Sequence, residues 1–160
     1  MSVVEMPDIP AFLDRRPFVG TYTNLHTFRD VCEYQMFRRY VKKDIPFFET
    51  PAMKFGKDAH SALEGRVGKG KVLPDQMRHW EKHCTPFDNY TVMTEQKLAI
   101  NDHGQATGYF DKDVFFRGQA DVVVMLNEKA LFTDWKSGNP RYADKFELET
   151  GALLLKAKYP

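Results

Sequence analysis

The sequence predicts one α/β domain in which helices come first, a β-meander follows and a single helix comes last. Three observations carry this expectation. Apolar residues recur at helical spacing through much of 21–85. From Tyr90 the texture changes to β-branched and aromatic runs, and helical spacing returns after Pro140. Helices laid over a sheet let both element types bury their apolar faces. With 160 residues, 42% of them hydrophobic, the chain has the size of one domain and can bury a core without staples.

Taken in order, residues 1–20 carry three prolines and little periodicity, and read as an irregular lead-in. Thr23 is the expected cap of a helix of about 18 residues, with Leu25, Phe28, Cys32, Met36 and Tyr40 on one stripe. Pro46 and Pro51 bracket a connector. A second helix is expected from Pro51 to Glu64, where Ala52, Gly56 and His60 share a face, and the glycines at 65, 68 and 70 should end it. Asp75 to His83 reads as a short third helix, completing a helical portion over 21–85. Strands are expected at Thr91–Ile100, Val114–Met125 and Ala130–Trp135, with turns at Asn101–Gly104 and Asn127–Lys129. A last helix runs from about Ala143 to Ala157, so 90–160 forms the core portion.

Net charge is +1, so no global excess of positive charge advertises nucleic acid, although a local groove can be basic while the whole is neutral. Two cysteines, Cys32 and Cys84, do not make a disulfide framework and fit a reducing compartment. No charged-then-apolar leader opens the chain, and no run approaches the ~18 apolar residues of a membrane span. The expectation is a cytoplasmic protein with no membrane partner; a virus-encoded protein in a host cytoplasm would read the same.

The chemistry gathers in two strands. Phe116-Arg-Gly-Gln-Ala-Asp121 ends in an acid inside an otherwise apolar run, and Leu131-Phe-Thr-Asp134-Trp-Lys136-Ser-Gly138 follows. Residues two apart on a strand share a face, so Asp134 and Lys136 project together. A short turn would bring Asp121 alongside Asp134. Two such carboxylates repel unless a cation lies between them, and a hard divalent ion with oxygen ligands is the usual answer. Such an ion polarises a phosphoryl oxygen and lowers the pKa of a bound water; an adjacent ammonium positions that water or stabilises developing charge. The backbone carbonyl of Trp135 offers a further ligand. By itself Asp-x-Lys is equally the pattern of a solvated strand face with an ion pair, and Glu95-Gln-Lys97 repeats it. The upstream acid after a glycine, the Ser-Gly ending and the following helix distinguish the second copy.

That combination resembles the RecB-like exonuclease branch of the PD-(D/E)XK nuclease superfamily, over about 21–160. The matching motifs are Gly118-Gln-Ala-Asp121, Asp134-Trp-Lys136-Ser-Gly138 with its following helix, Cys32-Glu-Tyr-Gln-Met-Phe37, and Gly56-Lys-Asp-Ala-His60-Ser-Ala-Leu63-Glu64. The resemblance implies a restriction-endonuclease-like core: a central mixed β-sheet flanked by helices, with an N-terminal helical portion. It implies a nuclease that hydrolyses DNA phosphodiesters with Mg²⁺ or Mn²⁺, working from linear ends in recombination, repair or degradation beside a recombination or helicase partner. In that role Asp121 and Asp134 hold the metal with His60, and Lys136 serves the attacking water. An imidazole among carboxylates suits Mn²⁺ as well as Mg²⁺. Glu95 matches an acid on the first core strand of this branch. Two cysteines cannot supply a four-cysteine iron–sulfur cluster, so none is expected. Glu147 stands where the branch has Gln, and Gly151 where it has Tyr. A carboxylate at 147 would add negative charge near the phosphate, bind a second metal or face solvent. Relatives continue into further strands, so the core is expected to be a minimal or truncated version. The other reading is a nuclease-fold DNA-binding or assembly domain without activity.

Lesser candidates complete the reading. Lys69 and Lys71, in a glycine-rich basic stretch, and Arg117 and Ser137, beside the motifs, are candidate DNA contacts. Arg38, Arg39, Lys42 and Lys43 complement the end of the first helix and could also line a DNA path. His79 and His83 stand one helical turn apart with Cys84 adjacent, a spacing that can hold zinc, but no third ligand is evident.

Overall fold

A computed structural model describes residues 18–127, 129–138 and 144–160. The first helix is capped by Thr21 rather than Thr23, because Thr21 and Asn24 form a capping box. The Asn24 N–H donates to Thr21 Oγ1 (3.3 Å) and the Thr21 N–H to Asn24 Oδ1 (2.9 Å). It is not one continuous helix. Helix α1 (Tyr22–His26) passes into a π-helical turn over Thr27–Val31, Cys32 is extended, and α2 (Glu33–Met36) runs into a second π turn over Phe37–Lys42. The predicted apolar stripe is not a continuous core stripe either: Leu25 packs against the core, but Phe28 and Cys32 are exposed.

Helix α3 (Pro51–Lys69) has Thr50 as its cap, the Met53 N–H donating to Thr50 Oγ1 at 3.2 Å, and proline in its first turn. It runs past the expected stop at Glu64. Gly65 and Gly68 serve close approach instead: a Cβ at Gly68 would lie 2.9 Å from Thr94, so this glycine lets the helix settle on the sheet. The stop comes at Gly70, whose φ of 64° closes the helix. The expected third helix divides into a 3₁₀ turn (Asp75–Trp80), helix α4 (Glu81–Cys84) and a second 3₁₀ turn (Thr85–Phe87).

Strands β1 (Val92–Ile100), β2 (Phe116–Leu126) and β3 (Lys129–Thr133) form a sheet of order β1-β2-β3. All pairings between these strands are antiparallel, so the sheet is not the mixed one expected; among the described residues the one parallel contact is the bridge Gly20–Phe116. For β2 and β3 the connection explains this: two residues of sequence separate Leu126 from its partner Lys129, and a parallel return would need a crossover of a dozen or more residues. Helix α5 (Lys145–Lys158) starts at its cap Asp144, whose Oδ1 accepts from the Phe146 N–H; the predicted start at Ala143 lies outside the described residues.

The sheet is packed on both faces. Helix α3 and the α4 region cover one, burying Ala59, Leu63, Cys84, Val122, Val124 and Trp135; α5 covers the other, over Leu98, Ile100, Ala120, Val123 and Leu154. The architecture is therefore α/β, a three-stranded antiparallel sheet flanked by helices. No helix among the described residues is long and apolar enough to cross a membrane.

Candidate active site

Strict alternation would put Ala120 and Val122 on one face, yet Ala120 packs toward α5 and Val122 toward α3. The slip occurs at Asp121. On β1 the same slip occurs at Glu95, between Met93 on the α5 side and Leu98 on the same side. The β1–β2 register runs Thr94–Val122 and Gln96–Ala120 but omits the intervening Glu95–Asp121 pair, and Glu95 has a left-handed φ of 52°. A left-handed non-glycine residue inside a strand costs about 1 kcal/mol or more. Its effect here is to turn Glu95 and Asp121 out of the ladder, beside α3. We expect Glu95→Gly to leave stability unchanged or raise it by up to about 1 kcal/mol in urea unfolding. A loss larger than that would show that the left-handed turn carries no strain.

The β2–β3 register ends at Val122–Thr133, and one position further sets Asp134 opposite Asp121. Glu95, Asp121 and Asp134 thus occupy one level across the sheet. Asp121 is buried. Its Oδ2 accepts the Trp135 N–H at 2.7 Å and lies 3.3 Å from His60 Nδ1. His60 lies on α3 directly after the buried Ala59 and one turn before Leu63, which fixes its height over β2. The Asp121 carboxylate holds the His60 imidazole above its ordinary 6.5, against the opposing effect of burial. By linkage, this pair stabilises the fold fully below about pH 6.5, and the contribution is lost as pH rises through the raised value. Parent protein should therefore lose its stability margin over His60→Gln between about pH 6 and pH 9 in paired urea melts. An equal margin at both ends would show that the pair contributes nothing.

Asp134 lies just past β3. Burial pushes its carboxyl above the usual range, with Glu147 adding to this and Lys136 opposing it. The Lys136 ammonium lies 2.6 Å from Asp134 Oδ2 and 2.5 Å from Glu147 on α5. Burial alone would lower the ammonium, but the two carboxylates outweigh it and hold it above its usual range. The Lys136 contact is an ion pair by distance without hydrogen-bond alignment, and Asp134 Oδ2 is buried with no aligned donor among the described residues. Two carboxylates facing one another suit a hard cation, which at Asp134 would share the carboxylate with the Lys136 ammonium. Burial also raises the Glu95 carboxyl, with Asp121 and Glu64 adding to it.

Two clefts meet here. An open one of about 530 Å³ is lined by His60, Glu64, Glu95, Gln119 and Asp121 beside Met53, Gly56 and Lys57. A second of about 290 Å³, on the α5 side, is lined by Asp134, Glu147, Arg117, Tyr109, Phe132 and Gly151. Gln119 lines both and hydrogen-bonds Glu95 through its side-chain amide. Sequence reasoning missed Gln119. Its signal was present, because two residues before Asp121 on the same strand it shares that residue's face.

The other named residues fall as follows. Trp135 engages Asp121 through its N–H, with its indole buried edge-on against Phe87. A Cβ at Gly56 would lie 3.5 Å from Ser137 Oγ, so the stretch after Lys136 reaches α3. Arg117 donates to the Tyr109 carbonyl at 3.1 Å and stacks on that ring, 4.8 Å from its centroid. Lys69 pairs with Glu64 at 2.8 Å, and the Lys71 stem packs over Gly65. Gly151 holds its place because a Cβ there would meet the Phe132 ring at 2.5 Å. His79 and His83 are exposed while Cys84 is buried, so they do not gather as a zinc site. Among the described residues the one group of three whose ligand atoms all lie within 4.8 Å is His26, Asp30 and Asp144. Both its carboxylates are already paired with Arg29, at 2.5 and 2.6 Å. His60, Asp121 and Asp134 are more widely spaced than that.

No family model, curated protein or solved structure matches this chain.

Proposed function

We propose that this chain is a metal-dependent deoxyribonuclease, acting on DNA ends, whose site comprises His60, Asp121, Asp134 and Lys136 with Glu95 and Glu147 as accessory acids. The observation that carries the reading is the register: it brings the buried Asp121 and the half-buried Asp134 opposite one another at the end of the β2–β3 ladder, with an imidazole on one side and an ammonium on the other. Asp121, Asp134 and His60 would hold Mg²⁺ or Mn²⁺. The bound ion supplies Lewis acidity toward a phosphoryl oxygen and acidifies a water.

The chain's own groups do the rest. Trp135 donates its N–H to Asp121 and so fixes that carboxylate with one oxygen free of it. His60 is oriented by the same carboxylate, which selects its Nδ1 as the proton-bearing atom in the pair. Lys136, held protonated by Asp134 and Glu147, presents a positive charge at the junction of β3 and α5, where phosphate charge would build. Glu147 competes with any phosphate for that ammonium. This contact favours the second reading, a binding domain on the same scaffold, and activity decides between the two.

Linear and circular DNA are incubated with the full chain and Mn²⁺, with Lys136→Ala as control. The proposal expects loss of linear DNA, persistence of covalently closed circles, and a drop of at least a hundredfold in the variant. Degradation of neither substrate, or equal rates for parent and variant, would leave the non-enzymatic reading standing.

A further inference from the structure

The stretch 28–55 has an unusual surface. Phe28, Val31, Tyr34, Phe47, Phe48 and Phe55 are all exposed, Phe48 at 78%. Neither α2 nor the π turn after it buries a single residue. Monomeric surfaces rarely leave so many large rings in water without use. The rings are interleaved with cations: Arg38, Arg39, Lys42 and Lys43 follow one another closely, and Lys54 and Lys57 stand on the first turns of α3. Asp44 pairs with Arg38 and Lys42, whereas Arg39 and Lys43 have no ion pair among the described residues.

Continuity decides where this surface leads. Phe47 and Phe48 lie in the segment directly before the Thr50 cap of α3, and Glu49 ties that segment to Lys57 at 2.5 Å. Lys57 and Met53 line the open cleft that holds His60, Glu95 and Asp121. From Pro51 to His60 is roughly 14 Å along the helix. An exposed ring can enter duplex DNA only by unstacking a base step, whereas it offers an unpaired base a stacking partner of any sequence without that cost.

We propose that this arm is a track for single-stranded DNA, on which bases stack against Phe47, Phe48 and Tyr34 while phosphates follow Arg39 and Lys43 toward the His60–Asp121 cleft. The inference rests on the nuclease reading for its direction, and it makes the substrate a single strand or a frayed end. The arm carries cations beside its exposed rings, a combination that suits a strand of bases and phosphates and that a uniformly apolar partner would not need.

Anisotropy of fluorescein-labelled oligothymidylate and of a labelled duplex, titrated with the full chain in EDTA, tests the track apart from cleavage. The variants are Phe47→Leu/Phe48→Leu, which keeps apolar surface and removes the rings, and the corresponding double alanine. Both positions are exposed, so urea midpoints should match the parent. The track predicts a parent preference for the single strand and a loss of about tenfold or more in both variants, with duplex binding within about twofold. Single-strand binding equal to the parent in the leucine variant overturns it. So does a dimer by sedimentation, or capture by phosphatidylserine vesicles, that the leucine variant retains and the alanine variant loses, since the rings would then serve a second copy or a membrane. Lost single-strand binding in a protein that never cleaves sinks the nuclease reading alone; robust cleavage with unaltered binding sinks the track alone.

Discussion

Asp134→Asn should abolish metal-dependent DNA cleavage, lowering the rate about a thousandfold, and should leave the protein as stable as the parent or more so. The two halves of this expectation have one cause. Burial raises the Asp134 carboxyl above its usual range, so its ionised form is held at a cost to the fold. That destabilising contribution is complete above the raised pKa and vanishes as pH falls below the ordinary carboxylate range. Asparagine keeps the shape and removes the charge. Lys136 loses one partner but keeps Glu147 at 2.5 Å. A carboxylate that only served structure would behave in the opposite way, its loss costing stability and leaving activity alone. Paired urea melts and cleavage assays across about pH 5 to 8 separate the two cases.

Asp121 should divide differently. Asp121→Ala leaves the Trp135 N–H without its acceptor inside the core, a loss of about 1–3 kcal/mol in urea unfolding. Asp121→Asn keeps an oxygen for that N–H and should recover most of the stability. Both variants should fall about a thousandfold in cleavage, because neither carries the charge that would hold a metal. Both should also let the His60 imidazole fall back toward its ordinary 6.5, which an NMR titration reads directly. If asparagine restores cleavage along with stability, Asp121 is a structural acceptor and no ligand.

How far these residues were legible varies with the distance over which each is fixed. The placing of Asp121 opposite Asp134 follows from the two-residue link between Leu126 and Lys129 and the two-residue period of a strand, both local. His60 at its height on α3 follows from helical spacing to Leu63, although the helix runs on past Glu64 through glycines that only the approach of Thr94 explains. Glu147 required knowing that α5 crosses Lys136, a contact with no local signature. Glu95 required knowing that the ladder breaks, and nothing in Thr94-Glu95-Gln96 announces a left-handed residue. The N-terminal helix misled for a related reason. A helical stripe of Leu25, Phe28, Cys32 and Met36 looks like a core face, and periodicity cannot tell a face that packs from one left in water. The mixed sheet followed from the resemblance, whereas the two-residue link between Leu126 and Lys129 already pointed to antiparallel pairing of β2 with β3.

The proposed reaction requires a divalent cation between Asp121, Asp134 and His60. Calorimetric titration of Mn²⁺ into the full chain tests it most directly, with Asp121→Asn, Asp134→Asn and Asp30→Asn run beside the parent. The binding event should disappear in the first two variants and survive in Asp30→Asn, whose carboxylate belongs to the tighter His26–Asp30–Asp144 group, where both carboxylates already pair with Arg29. Binding that persists in Asp134→Asn and disappears in Asp30→Asn would contradict it, placing the ion at the other cluster and leaving the paired acids of the sheet without the role assigned to them.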